Sequence, residues 1–260
     1  MHSQTWKYRE TNLSIKCDEE RAIDAAIHAG ILARADIEKY VSMYPDFRWS
    51  LEPVDIPGVH PRVVDMMLRA AKVAGVGPFA AVAGAISQVA AEAAVNAGAR
   101  NVIVENGGDI AIIGSRDFKV AIFSGQCPDD KTGVLGFHIR AGELPIGICT
   151  SSGTVGHSIS FGNADAVVAF ADDAATADAA ATSIANEVRG TPEESIELGI
   201  KRAKEIAAIR GCLIICGGEV GEWGSVPELV EVNPSSSELS RKWHEYRTSY
   251  LGAGPFISRK

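Results

Sequence analysis

Asp178 and Thr182 stand four residues apart in the alanine-rich run from Thr176 to Thr182. On a helix that spacing stacks the carboxylate above the hydroxyl on one face. The flanking alanines, Ala181 among them, leave room for a ligand to approach. A carboxylate, a hydroxyl and nearby backbone carbonyls form an all-oxygen set suited to a hard cation such as Mg2+. An Asp close to a helix start is also stabilised by the helix dipole alone. The residues therefore leave a cation site and a simple cap both open.

Two further segments carry chemical potential. Cys149 to Ser158 gathers the hydroxyls of Thr150, Ser151, Ser152 and Thr154 around Gly153, with His157 close behind. Such a stretch offers hydroxyls and backbone N–H groups to phosphate or carbonyl oxygens. It lacks the lysine of a Walker loop and the pattern of a nucleophile elbow. His157 fits either a general acid/base or a histidine bonded to a neighbouring carbonyl. The other segment, Asn106-Gly107-Gly108-Asp109, lies between two strand-like runs. Paired glycines let a backbone come close to a ligand, and an Asn-Gly pair is equally the signature of a plain β-hairpin.

The elements that must position these residues follow from periodicity. Leu13, Ile15 and Cys17 alternate as in a strand over 8–17. Asp18 is placed to cap a helix running to about Tyr44, ahead of Pro45. A short extended segment is expected over 49–54, then a helix from His60-Pro61 to about Gly75. After the break at 75–78 an Ala-rich helix runs to Gly98. Strands are predicted over 101–105, 109–114, 118–123, 134–140, 146–150 and 165–171. A second Ala-rich helix spans about 174–188, another opens at Pro192 and runs to about 210, and 213–216 is a late strand. The two Ala-rich helices suggest two related halves around a cleft, although they match in composition only. The expected class is α+β, with mixed or antiparallel sheets and packed helices.

Bulk properties narrow the function. The chain has 260 residues, 46% of them apolar, enough for a substantial core. With 25 Lys and Arg against 33 Asp and Glu the formal charge is −8, which argues against nucleic acid or an anionic membrane as partner. The polar N-terminus offers no secretory signal, and the apolar stretch 79–97 is broken by Ser87, Gln88, Glu92 and Asn96, so it reads as a buried helix. A cytoplasmic location is expected. Five cysteines without a CxxC pair argue against a disulfide scaffold, and Cys212 and Cys216 read as small core residues. With no linker before it, residues 1–232 are read as one domain. Residues 233–260 form a C-terminal arm whose Trp243, Tyr246 and Tyr250 could dock on the domain or join copies of the chain as a homo-oligomer.

Taken in order, GPFAAVAG (Gly77–Gly84), ENGGDI (Glu105–Ile110), CTSSGTVGHS (Cys149–Ser158) and ADAAAT (Ala177–Thr182) resemble the ApbE superfamily. Its best-known members are FAD:protein FMN transferases. The match spans about residues 75–190, and the loop is closest to a short stand-alone branch classed as an uncharacterised protein family. The resemblance implies an ApbE-type fold. It also implies Mg2+ held by Asp178 and Thr182 with backbone carbonyls such as that of Ala181, and an FAD or FMN nucleotide against Gly107, Gly108 and Asp109. Thr150, Ser151, Ser152, Gly153 and Thr154 would line the same cleft, with His157 moving a proton. The expected ligand is a flavin or another nucleotide-like small molecule. The chain departs from the transferases in carrying Ala83 where they have a Lys, and in lacking their His-Ile-Ile-Asp-Pro-x-Thr-Gly segment. Transferase-like chemistry and a non-catalytic binding or assembly role therefore both remain open.

Overall fold

A computed structural model describes residues 1–121, 134–151 and 164–232. The strands are β1 (His2–Tyr8), β2 (Thr11–Cys17), β3 (Val102–Asn106), β4 (Asp109–Ile113), β5 (Phe118–Ala121), β6 (Val134–Ile139), β7 (Ile146–Ser151), β8 (Ala166–Ala171), β9 (Ile209–Cys216), β10 (Glu219–Gly224) and β11 (Glu228–Val232). The helices are α1 (Glu20–Met43), α2 (Asp46–Trp49), α3 (Arg62–Ala74), α4 (Val82–Asn96), α5 (Ala174–Glu187) and α6 (Pro192–Glu205). A 3-10 turn at Pro78–Ala81 leads into α4.

An eight-stranded antiparallel sheet runs β1-β2-β3-β4-β7-β8-β9-β10, and a three-stranded sheet runs β11-β6-β5. Helices cover one face of the large sheet and the small sheet covers the other, giving three layers and an α+β fold. Both faces of β8 are therefore buried, which explains its unbroken apolar sequence AVVAFA. Around the β4–β7 seam many helix-facing side chains are small, although Val104, Val167 and Ile214 also lie on that side. Val168 and Phe170 point with Ile112, Ile148 and Leu213 into the core shared with Phe137 of the small sheet. Ala111, Cys149, Ala169, Ala171 and Cys212 face the helices. Small residues on that side let the Ala-rich α4 and α5 approach closely. At Gly84 of α4 an added Cβ would overlap the Ala174 carbonyl and press on the Asp178 Cβ. By length and composition the segment Pro78–Asn96 could cross a bilayer. Here it is packed against α1, α5, β3 and β4.

The large sheet consists of two halves with one topology: hairpin, helices, hairpin. β1-β2 and β3-β4 flank α1 to α4; β7-β8 and β9-β10 flank α5 and α6. The likeness extends to residues. RNVIVENGGDIAIIG (Arg100–Gly114) and RGCLIICGGEVGEWG (Arg210–Gly224) occupy equivalent hairpins, each turning on two glycines with positive φ, Gly107 and Gly108 or Gly217 and Gly218. This corrects the expectation that the halves match in composition only. The repeat is short and lies in the hairpins rather than in the helices that suggested it.

Other expectations are also refined. Asp18 does not cap α1. Its carboxylate accepts the N–H groups of Arg100 and Asn101 and the Asn101 side-chain amide, tying the end of β2 to the start of β3. The segment after Pro45 forms the short helix α2 rather than an extended run. β1 is exposed along almost its whole length, so it carries no apolar alternation to read. The arm 233–260 lies outside the described residues.

Candidate functional site

The site lies at the seam between the two halves, on the helix side of the sheet. β4 and β7 pair there with Ile110 opposite Ile148 and Ala111 opposite Gly147. Continuing that register sets Asp109 opposite Cys149. Alternation then points Asp109, Cys149 and Ser151 to the side where Ala111 and Cys149 meet the helices. The Gly107-Gly108 turn completes a tight hairpin in which Asn106 pairs with Asp109. Asn106 fixes that turn in place: its amide accepts the Asn12 N–H and donates to the Ala83 carbonyl at the start of α4.

Chain direction brings α5 to the same place. β8 runs back along β7, and α5 returns parallel to β7. At their starts Gly147 packs on Asp173 and Ala174 so tightly that a Cβ would overlap them. Ser151 is then about 13 Å along β7, and Thr182 is about 12 Å along α5. Thr182 and Ser151 consequently sit near one level, while Asp178, about 6 Å along α5, sits near the level of Cys149, about 7 Å along β7. α4 lies antiparallel beside them. The Gln88 side chain accepts the Ala174 N–H at one end, and the Gly84 N–H donates to Asp178 Oδ2 at 2.9 Å at the other.

The proposed dipole role of Asp178 thus belongs to another helix. α5 is capped by its own Asp173, which accepts from Thr176. Asp178 instead receives N–H groups from the start of α4, which has no side-chain cap of its own. Burial pushes the Asp178 carboxyl well above its usual range, and neighbouring Asp109 pushes it the same way; the Gly84 and Ala83 N–H groups pull it down. Burial likewise raises Asp109 to about 7, against hydrogen bonds from the Cys149 thiol and the Thr150 N–H. Among the described residues no cationic side chain acts on either carboxyl. Burial also raises the Cys149 thiol, with Asp109 and Asp178 adding to it. That thiol contacts the Ala174 carbonyl as well.

Asp109, Ser151, Asp178 and Thr182 are all buried, at 8%, 2%, 7% and 5% exposure. Among the described residues three of their oxygens have no hydrogen-bond partner: Asp109 Oδ1, Ser151 Oγ and Thr182 Oγ1. Gly107 is exposed, and Gly108 and Thr150 are half-buried, so the group runs from a closed oxygen cluster out to the hairpin turn. Ala181 lies within α5, where its carbonyl serves the helical ladder and keeps a second lone pair. Ser152, Gly153, Thr154 and His157 lie outside the described residues. Gly84, Asn106 and Cys149 fall within segments marked in the sequence but are given no role at the site there. Their roles come from close approach and main-chain bonds, which leave no spacing signal.

The unpartnered oxygens are the test of a cation. A buried polar atom without a partner costs about 1–3 kcal/mol, and an acidic pair with one such carboxylate oxygen and two such hydroxyls on the same seam matches the donor chemistry of Mg2+. No three His, Cys, Asp or Glu side chains gather as a metal cluster among the described residues, so such a set would be completed by hydroxyls and carbonyls. Two surface cavities lie away from this seam. One of about 330 Å3 lies beside Tyr40 and His60, and one of about 430 Å3 on the outer face of α6.

The model of the family described as AbpE bacteria matches residues 2–220. A UPF0280 protein of Methanosarcina acetivorans is 45% identical over 224 residues, 86% of this chain and 87% of the relative. A UPF0280 protein of Methanococcus aeolicus is 40% identical over 226 residues, 86% and 90% of the two chains. Among solved structures, the flavin transferase ApbE from Vibrio cholerae superposes with a TM-score of 0.54 at 14% identity, covering 86% of this chain and 96% of its own. That likeness shows a shared fold.

Proposed function

From membership of the family described as AbpE bacteria, to which this ApbE-like, UPF0280-related chain belongs, we propose that the seam site binds a flavin or another nucleotide-like small molecule through Mg2+. Asp178 and Thr182 hold the cation, and the Ala181 carbonyl adds a further oxygen. The single observation that carries this reading is Thr182 Oγ1. It is buried, without a partner and one helical turn beyond a buried carboxylate. The structural neighbour is a flavin transferase by name, which supports the choice of ligand class.

Bound Mg2+ would supply charge neutralisation to a phosphate or carbonyl oxygen. The chain's own residues do the rest. The Gly107-Gly108 turn has open space where side chains would otherwise stand, so a flat ligand can lie on its backbone. Thr150 to Thr154 orient the ligand by hydroxyls, and His157 moves a proton in a transferase or hydrolase step. A second reading, binding without turnover, is favoured by one observation. Ala83 stands where the transferases carry a lysine, and its carbonyl is already engaged by Asn106. Incubating the purified protein with FAD and Mg2+ separates the two. Divalent-dependent release of AMP supports transfer chemistry, and flavin bound without AMP release supports the binder. No flavin bound with or without Mg2+ would sink both.

A further inference from the structure

We propose that Asp109 is a second carboxylate ligand of the cation held at Asp178 and Thr182, and that an anionic ligand binds only after the cation has entered. This rests on the seam being a cation site and extends it by a residue that the family resemblance places against the flavin instead.

The geometry argues for it in four ways. Asp109 is opposite Cys149 on the helix side of the sheet, the side from which α5 presents Asp178. Its main chain is pinned, because the Ser87 hydroxyl donates to its carbonyl at 2.9 Å. The pairing of β3 with β4 holds the same main chain, so the side chain starts from a fixed position on the helix side of the sheet. One of its oxygens, Oδ1, has no partner although the residue is 92% buried by its 8% exposure. Lastly, Asp178 lies within the electrostatic reach of Asp109, and no described cationic side chain acts on either. Two buried like charges repel, and a divalent ion between them reverses the sign of that interaction. Thr182 Oγ1 and Ser151 Oγ, also without a partner among the described residues, lie one turn of α5 and two residues of β7 further along the same seam. A hard cation seeks about six oxygens, and a phosphate-bearing ligand would complete the set.

The order of binding follows from charge. A phosphate entering the seam alone would meet two buried acids, which give up their protons to a cation rather than to an anion, and no cationic side chain among the described residues. With the ion in place the same oxygens find a neutralised site.

Mn2+ binding followed by electron paramagnetic resonance, with Mg2+ as competitor, tests the ligand assignment on the full chain. The wild type is expected to bind Mn2+, and Asp109→Asn and Asp178→Asn each to weaken it at least tenfold. Asp109→Asn binding as tightly as wild type overturns the inference while the cation site stands. A wild type that binds no Mn2+ removes the cation site itself. Asp109→Ser, smaller and uncharged, serves should the Asn variant fail to fold, with the same outcomes expected. Binding order is read on the wild type by FAD fluorescence quenching. At least tenfold weaker FAD binding in chelator than in Mg2+ is expected, and equal binding in the two overturns the ordering.

Discussion

At the residue scale, Asp178 holds two positions at once, as trans cap of α4 and as carboxylate of the seam. Substitutions can separate them. Asp178→Ala leaves the buried Gly84 N–H without its acceptor and should cost about 1–3 kcal/mol in urea unfolding. Asp178→Asn keeps an acceptor and removes a buried charge, so in chelator at pH 8 it should be at least as stable as wild type while losing cation binding. A carboxyl raised by burial holds its proton more tightly in the fold than in the unfolded chain. Asp109 moves from its ordinary 3.8 to about 7, and Asp178 shifts in the same direction. In the cation-free protein the Asp109 contribution should therefore be fully present below about pH 4 and be lost as pH rises to about 7, against the opposite trend of the lowered Glu10, Asp18, Asp117 and Glu228. Urea unfolding in chelator at pH 5 and pH 8 reads this slope. Asp109→Asn should flatten it, and an unchanged slope would show that the carboxyl is not buried in the fold.

At the element scale, the site depends on how closely two Ala-rich helices and two inner strands approach one another. Gly84 and Gly147 are the contact points, each with main chain where a Cβ would stand. Gly84→Ala should force α4 and α5 apart and cost about 1–3 kcal/mol, seen as a melting temperature lower by several degrees. Cation affinity should fall with it, because the Gly84 N–H and the Asp178 carboxylate move together. An unchanged melting temperature would mean that the helices already have slack. The Gly-Gly turn was legible in sequence as a hairpin, and the hairpin reading and the site reading prove compatible. The same turn that closes β3 on β4 places Asp109 at the seam.

At the scale of the whole molecule, two like halves meet at β4 and β7, and each gives the site what the other lacks. The first contributes the α4 N–H groups and Asp109; the second contributes Asp178, Thr182 and Ser151. The equivalent turn of the second half carries Glu219 at a sheet edge, exposed, so duplication of the fold has not duplicated the site. All the described strands and helices lie before residue 233, and the family match ends at residue 220. A chain cut after Val232 should therefore unfold in one cooperative transition within a few degrees of the full chain. A molten or aggregated product would show that the arm completes the core.

The sequence by itself determined the class, most of the elements and the order of the four motifs. Apolar alternation, alanine-rich runs and glycine pairs act over a few residues and need no partner to be read. It also placed Asp178 and Thr182 on one helix face. Tertiary structure alone decided which groups meet. Asp109 and Asp178 are 69 positions apart in the chain, and only the pairing of β4 with β7 and the return of α5 bring them together. It decided as well that Asp178 caps α4 and Asp18 anchors β3. A carboxylate accepts whichever N–H the fold presents, and sequence spacing carries no record of that choice.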